Sequence, residues 1–155
     1  MIFHVSIDAE DPRHVAQVIA EFWGGIAVPF HPVMTGSWMA MAQDARNTTV
    51  EVYPRGTELA PGDGDADPEG RMGAAHALSS THFAMATEMS ADAVRAIAER
   101  EGWPVKYRKR GGLFGVMEIW IEGTRMIEVL TPEMQAEYRA LTAADADRLP
   151  DAAAA

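Results

Sequence analysis

The sequence predicts an α+β fold: two tandem βαβββ modules forming a curved, cup-like mixed sheet with helices on the convex side. Three observations predict it. The same order of strand and helix patterns occurs twice, corresponding residues recur at matched intervals, and one sheet face mixes polar with apolar side chains. The 155 residues suffice for one compact core, and a chain that is 48% hydrophobic and 23% charged has ordinary domain composition. A single domain over 1–155 is therefore expected, with a first module at 1–53, a linker at 54–80, a second module at 81–131, and a C-terminal helix with a frayed tail at 132–155.

The first module opens with a strand pattern at residues 2–7. Alternation puts Phe3, Val5 and Ile7 on one face and Ile2, His4 and Ser6 on the other. A helix follows, because Asp11 suits a cap, Pro12 suits the first helical position, and Val15, Val18, Ile19 and Phe22 form an apolar stripe that ends at Gly24 and Gly25. Residues 37–42 and 48–53 then read as strands separated by a turn at 44–47, and Pro54 stops the pairing. The segment 54–80 is rich in Gly, Pro, Asp and Ala and shows no sustained period, so it reads as a long linker.

The second module repeats the order. Residues 81–86 form the opening strand, with Phe83 and Met85 pointing one way and His82, Ala84 and Ala86 the other. Ser90 caps a helix striped by Val94, Ile97 and Ala98 and ended by Gly102. Strands at 105–110, 114–121 and 125–130 follow, with turns at 111–112 and 122–124, before Pro132 and a helix at 133–141. Each histidine precedes its terminating glycine by 20 positions, and the intervals from His4 to Glu51 and from His82 to Glu128 are 47 and 46. Duplication accounts for that agreement.

Within both glutamate-bearing strands the neighbours, Val50 and Val52 or Ile127 and Val129, suit helix packing, which turns Glu51 and Glu128 to the other face. His4 and His82 follow the same rule. An open, solvated face would make these four ordinary surface residues. The same face also carries Ile2, Ala84, Ala86, Met126 and Leu130, which a curved sheet around a cavity explains better. Two carboxylates brought together there would repel unless a cation compensated them. The chain has no cysteine, so any metal must be held by nitrogen and oxygen, and two imidazoles with two carboxylates suit Ni, Co, Mn, Fe or Zn.

Other candidates are weaker. Trp38, Tyr53, Glu118 and Trp120 are expected to line the cavity and bind substrate, with Glu118 on the cavity side beside Trp120. The basic run from Lys106 to Arg110 either holds an anionic substrate group or guards an edge strand. His14 is read as a solvated or capping-turn residue, His31 as a loop residue, and His76 as a linker residue able to approach the cavity. Asp63, Asp65 and Asp67 fail the calcium-loop pattern, since Pro68 and Ala74 stand where glycine and a bidentate acid belong. A net charge of -10, from 23 acidic against 13 basic residues, argues against nucleic acid and anionic membranes as partners. Without a signal-like N-terminus or an apolar run long enough to span a bilayer, a cytoplasmic location is expected.

The repeated unit, with His4 or His82 on its first strand and Glu51 or Glu128 on its last, resembles the vicinal oxygen chelate superfamily of glyoxalases, fosfomycin-modifying transferases, extradiol dioxygenases and bleomycin-resistance proteins. The resemblance covers residues 2–53 and 81–131. By ligand pattern it is most similar to the glyoxalase type, since extradiol dioxygenases use two His and one Glu. The resemblance implies His4, Glu51, His82 and Glu128 as ligands of one divalent ion. Glu128 or Glu51 would act as the base, with Glu118 as a fallback. The implied activity is that of a metal-dependent lyase or isomerase on a small substrate with vicinal oxygens. A non-catalytic bleomycin-resistance-like binding protein and a dioxygenase or thiol transferase are the alternatives. The Asp-Pro-Asp-Gly turn common before the last strand in this family is replaced by the segment from Ile121 to Arg125. Modules of this family pair within one chain or are exchanged between two, so a homodimer is allowed.

Overall fold

A computed structural model describes residues 2–61, 68–76 and 78–145. The acidic triplet at Asp63, Asp65 and Asp67 and the expected frayed tail lie outside the described residues. The first module contains β1 (His4–Ala9), α1 (Pro12–Trp23), β2 (Ile26–Pro29), β3 (Trp38–Met41) and β4 (Thr49–Pro54). A hairpin of β5 (Thr57–Ala60) and β6 (Glu69–Met72) follows. The second module contains β7 (Phe83–Ala86), α2 (Ala91–Arg100), β8 (Val105–Arg110), β9 (Phe114–Ile121) and β10 (Arg125–Leu130), and α3 (Pro132–Asp145) closes the described chain.

The duplication is visible in the topology. One sheet runs β1-β4-β3-β2 and the other β7-β10-β9-β8, each with its opening strand parallel to its last and the remaining pairs antiparallel. This is the expected α+β arrangement of tandem βαβββ units in mixed sheets. Helix α1 starts where Asp11 accepts the His14 N–H at 3.0 Å and ends at Gly24, whose φ of 66° is the left-handed conformation that glycine adopts without cost. Its stripe of Val15, Val18, Ile19 and Phe22 is buried, and the helix packs on β2, β3 and β4. Gly25 is required by proximity, since a Cβ there would stand 2.0 Å from the Met41 carbonyl oxygen. Ser90 caps α2 through the Ala93 N–H, and Val94, Ile97 and Ala98 are buried in the same hydrophobic cluster as the stripe of α1.

The structure differs from the sequence reading in three elements. The strand that the βαβββ order requires directly after α1 is β2, and no periodic run marks it, because Ile26–Pro29 is short, half exposed and ends in proline. The segment read as a linker without secondary structure contains β5 and β6. This hairpin has no buried apolar face to impose a period, with Leu59 and Met72 exposed, and it rests on backbone proximity instead: a Cβ on Gly70 would meet the Val33 carbonyl oxygen at 2.7 Å. Helix α3 starts one residue before its expected position and runs to Asp145.

The two modules pack against each other through polar contacts. Asp8 at the end of β1 receives Arg125 Nε at 2.5 Å and Arg55 Nη1 at 3.1 Å, while Arg55 Nη2 reaches Glu122 at 2.7 Å. Glu122 also accepts the backbone N–H groups of Glu10 and Asp11 at 2.8 and 3.1 Å. Its φ of 50° is unusual for a residue with a Cβ, and these bonds across the seam supply the compensation. The turn from Ile121 to Arg125 is thus the one that ties β10 to the first module. On the helix side, the Trp23 indole donates to the Ala86 carbonyl at 3.1 Å and the Thr87 hydroxyl donates to that of Phe22. Among the described residues no helix is long and apolar enough to cross a membrane.

Candidate functional site

Parallel pairing of β1 with β4 sets Ser6 beside Glu51, and the alternation of both strands puts His4, Ser6, Glu51 and Tyr53 on the face away from α1. The Glu51 side chain is 13% exposed, and its Oε2 accepts the Ser6 hydroxyl at 3.0 Å and the Tyr53 hydroxyl at 2.9 Å. Its other oxygen, Oε1, stands 4.0 Å from Nε2 of His4, whose side chain is 58% exposed. Burial, followed by the bond to Glu51, pushes the Tyr53 phenol well above its ordinary range, so it stays a proton donor to the carboxylate.

The second module presents the corresponding face with a different partner. Glu128 pairs with Ala84 on one side and stands directly opposite Glu118 on the other. Arg110 donates to Glu128 Oε1 from Nε at 2.8 Å and also from Nη2, which reaches Glu118 Oε2 at 3.0 Å. The Trp120 indole donates to Glu118 Oε1 at 3.1 Å, and Arg108 stands 3.8 Å from the same carboxylate. Burial pushes the Glu118 pKa upward, but the bonds from Trp120 and Arg110 outweigh it and hold the group below its usual value.

His82 lies just before β7, exposed, with Nδ1 at 3.1 Å from the Ser80 carbonyl oxygen. His4 and His82 line one cavity of about 660 Å³ at the seam, together with Phe3, Trp23, Thr49 and Phe83. Glu51 and Glu128 do not line it. The two hydroxyl donors to Glu51, Ser6 and Tyr53, instead line a smaller cavity of about 270 Å³ that also includes His76 and Arg125. His76 thus approaches that cavity, His31 is an exposed loop residue, and His14 combines its capping-turn N–H bond with a ring contact to Glu101 at 2.5 Å.

Trp38 departs from its expected position. It pairs with Val52, the residue that faces α1, and the Arg13 guanidinium of α1 lies 5.3 Å from its ring centre. Trp38 therefore belongs to the helix side, whereas Tyr53, Glu118 and Trp120 lie on the face of the glutamates. The residues missed by sequence reasoning are Ser6 and Arg110 in their roles as glutamate partners. Arg110 was visible only as part of a basic run, because its reach across β9 to Glu128 has no local signature.

Among the described residues no group of three or more His, Asp and Glu side chains is placed to hold a metal ion. The donor chemistry of the first module nevertheless fits a divalent cation. Two donors each about 2.1 Å from one ion lie at most about 4.2 Å apart, and the 4.0 Å between His4 and Glu51 falls within that span.

No protein-family model and no curated protein matches the chain. Solved structures do. The chain is similar to lactoylglutathione lyase from Agrobacterium tumefaciens, with 17% identity over 83% of this chain and 91% of that one and a TM-score of 0.53. It is also similar to the fosfomycin resistance protein FosX from Mesorhizobium loti, with 11% identity over 90% of this chain and 97% of that one and a TM-score of 0.50.

Proposed function

We propose that this chain, which has the vicinal oxygen chelate fold, is a divalent-metal-dependent enzyme of the glyoxalase type acting as a lyase or isomerase on a small substrate with vicinal oxygens. The observation that carries the reading is the His4 and Glu51 pair, 4.0 Å apart on the open face; His82 and Glu128 hold the corresponding places in the second module's strand order, where Glu128 is bonded by Arg110. His4 and Glu51 would hold the ion from one module, and His82 and Glu128 from the other. Within one chain the histidines share the seam cavity while the glutamates lie off it. We therefore assign the complete four-donor set to a homodimer in which each site draws one pair from each copy.

A bound divalent ion would supply Lewis-acid stabilisation of negative charge developing on a substrate oxygen. The chain's own residues determine where the proton goes. Ser6 and Tyr53 hold Glu51 Oε2 and orient the carboxylate, leaving Oε1 toward His4; that oxygen would be the ligand atom and, only when loosened from the ion, the acceptor of a proton from substrate carbon. Glu128 is less suited to that step, since its Oε1 takes two bonds from Arg110. Glu118 is less suited still, with Trp120 on one oxygen and Arg110 on the other. Tyr53 and Trp120 would flank the substrate.

The test is a mixing experiment. Copies carrying His4→Ala and Glu51→Gln, combined with copies carrying His82→Ala and Glu128→Gln, should recover metal binding that neither parent has, because each mixed dimer rebuilds one intact site. Parents that bind metal as the wild type does would refute the ligand assignment. The second reading, a non-catalytic small-molecule-binding protein, is favoured by the Arg110 ion pairs, which compensate two carboxylates without a metal. It predicts a chain without metal that still binds ligand.

A further inference from the structure

We propose that the cavity at the seam of the two modules binds a neutral aromatic small molecule that carries a hydroxyl group. The inference goes beyond the metal reading, because neither Glu51 nor Glu128 lines this cavity and its test needs no ion. The volume of about 660 Å³ falls within the range of roughly 300–1,000 Å³ typical of small-molecule sites. Both modules build the wall: Phe3, Val5 and Trp23 come from the first, and Phe83, Met85 and Ala86 from the second.

The polar groups of that wall are largely spent within the fold. The Trp23 indole donates to the Ala86 carbonyl at 3.1 Å, and the Thr87 hydroxyl donates to that of Phe22. Asp44 accepts the Thr48 hydroxyl at 2.7 Å and the N–H groups of Thr48 and Arg46 at 2.9 and 3.1 Å, so its own turn satisfies it. What remains is apolar surface with three aromatic rings, those of Phe3, Trp23 and Phe83. Phe3 is 56% exposed, and a planar ring laid against it would remove that surface from water. A charged ligand would lose its hydration against this wall without a counter-charge facing it, since Asp44 is committed to its turn and Arg46 and Glu88 are exposed at the rim. A neutral ligand avoids that cost.

Two imidazoles supply the polar end of the cavity. His82 Nδ1 lies 3.1 Å from the Ser80 carbonyl oxygen, which can only accept, so Nδ1 carries the proton and Nε2 of the neutral ring is left as an acceptor. His4 Nε2 stands 4.0 Å from Glu51, beyond hydrogen-bond length. A ligand hydroxyl can donate to His82, whereas a carbonyl or ether oxygen has no proton to give.

The experiment titrates 2-naphthol into chelator-treated full-length protein by calorimetry, with the indole N–H signals of the four tryptophans followed by NMR. One molecule should bind per chain. Only the Trp23 signal, identified by its loss in Trp23→Phe, should shift, because Trp38, Trp103 and Trp120 do not line the cavity. Ala84→Trp, at an exposed position on the cavity wall, fills the space from the solvent side and should weaken binding at least about tenfold. The charged analogues 2-naphthoate and 2-naphthylmethylammonium should also bind at least about tenfold more weakly than 2-naphthol. Tyr107→Ser removes an exposed ring on β8, outside the cavity, and should leave affinity unchanged. An absence of both heat and any Trp23 shift at millimolar 2-naphthol would overturn the site. Wild-type affinity in Ala84→Trp would overturn its location, and equal binding of the charged analogues would overturn the ligand class. Failure of the metal assignment would change none of these results, since the chelator has removed any ion.

Discussion

Glu118 and Glu128 stand directly opposite each other on β9 and β10, and the Arg110 guanidinium bonds both. The equivalent carboxylate of the first module, Glu51, instead accepts from two hydroxyls, with the His4 ring 4.0 Å away. The duplicated scaffold therefore holds its two matched glutamates in unequal ways.

The seam between modules should respond strongly to loss of Asp8. Arg55 and Arg125 have side chains only 7% and 5% exposed and both donate to this carboxylate. Asp8→Ala removes the carboxylate that these two nearly buried guanidinium groups share, while Arg55 keeps Glu122, and should cost about 3 kcal/mol, measured as a lower midpoint in urea unfolding at unchanged slope.

The same carboxylate should set part of the acid sensitivity. Burial pushes the Asp8 pKa up, but the bonds from Arg125 and Gly56 and the charge of Arg55 outweigh it, so the folded-state value lies below the unfolded one. Glu118 is shifted in the same direction. The stability contributed by a depressed carboxylate is present above the unfolded pKa, about 4, and is lost as pH falls through the folded value. Melting temperature measured from pH 7 to pH 3 should fall below pH 4, and Asp8→Asn should flatten that decline while lowering stability at neutral pH.

Two adjacent glycines should behave differently. At Gly24 a Cβ would meet nothing within 4 Å but would sit at a φ of 66°, so Gly24→Ala should cost about 1 kcal/mol. At Gly25 a Cβ would lie 2.0 Å from a backbone oxygen that cannot rotate away, so Gly25→Ala should cost about 3 kcal/mol. Denaturant midpoints of the two variants compare them directly, and equal losses would contradict the close approach of α1's exit to β3.

Phe22 is among the largest fully buried side chains, at 1% exposure, and its carbonyl accepts the Thr87 hydroxyl of the other module. Phe22→Ala should cost about 3–5 kcal/mol from the lost apolar contacts and the cavity left behind, seen in thermal or denaturant unfolding.

Much of this architecture is legible in the sequence because local chemistry and period carry it. Asp11 and Ser90 cap the helices as their positions require, and Val50, Val52, Ile127 and Val129 bury themselves, which turns Glu51 and Glu128 outward. What was not legible depends on distant neighbours. The face of Trp38 is decided by its register with Val52 and by Arg13 on α1, and neither relationship leaves a local signal. The β5 and β6 hairpin has no buried face to generate a period. Arg110 reaches Glu128 across an intervening strand, and Glu122 adopts its conformation because of partners in the other module. The four candidate residues stand out in the sequence by their matched spacing, while the contacts that distinguish their two settings require the fold.

The most direct test of the central claim is the divalent-metal content of protein purified without added metal and then saturated with Co²⁺. The account predicts about one tightly bound ion per chain in the wild type, and its loss in both His4→Ala and His82→Ala. A wild type that retains no ion after saturation, or an unchanged ion content in both variants, would contradict it.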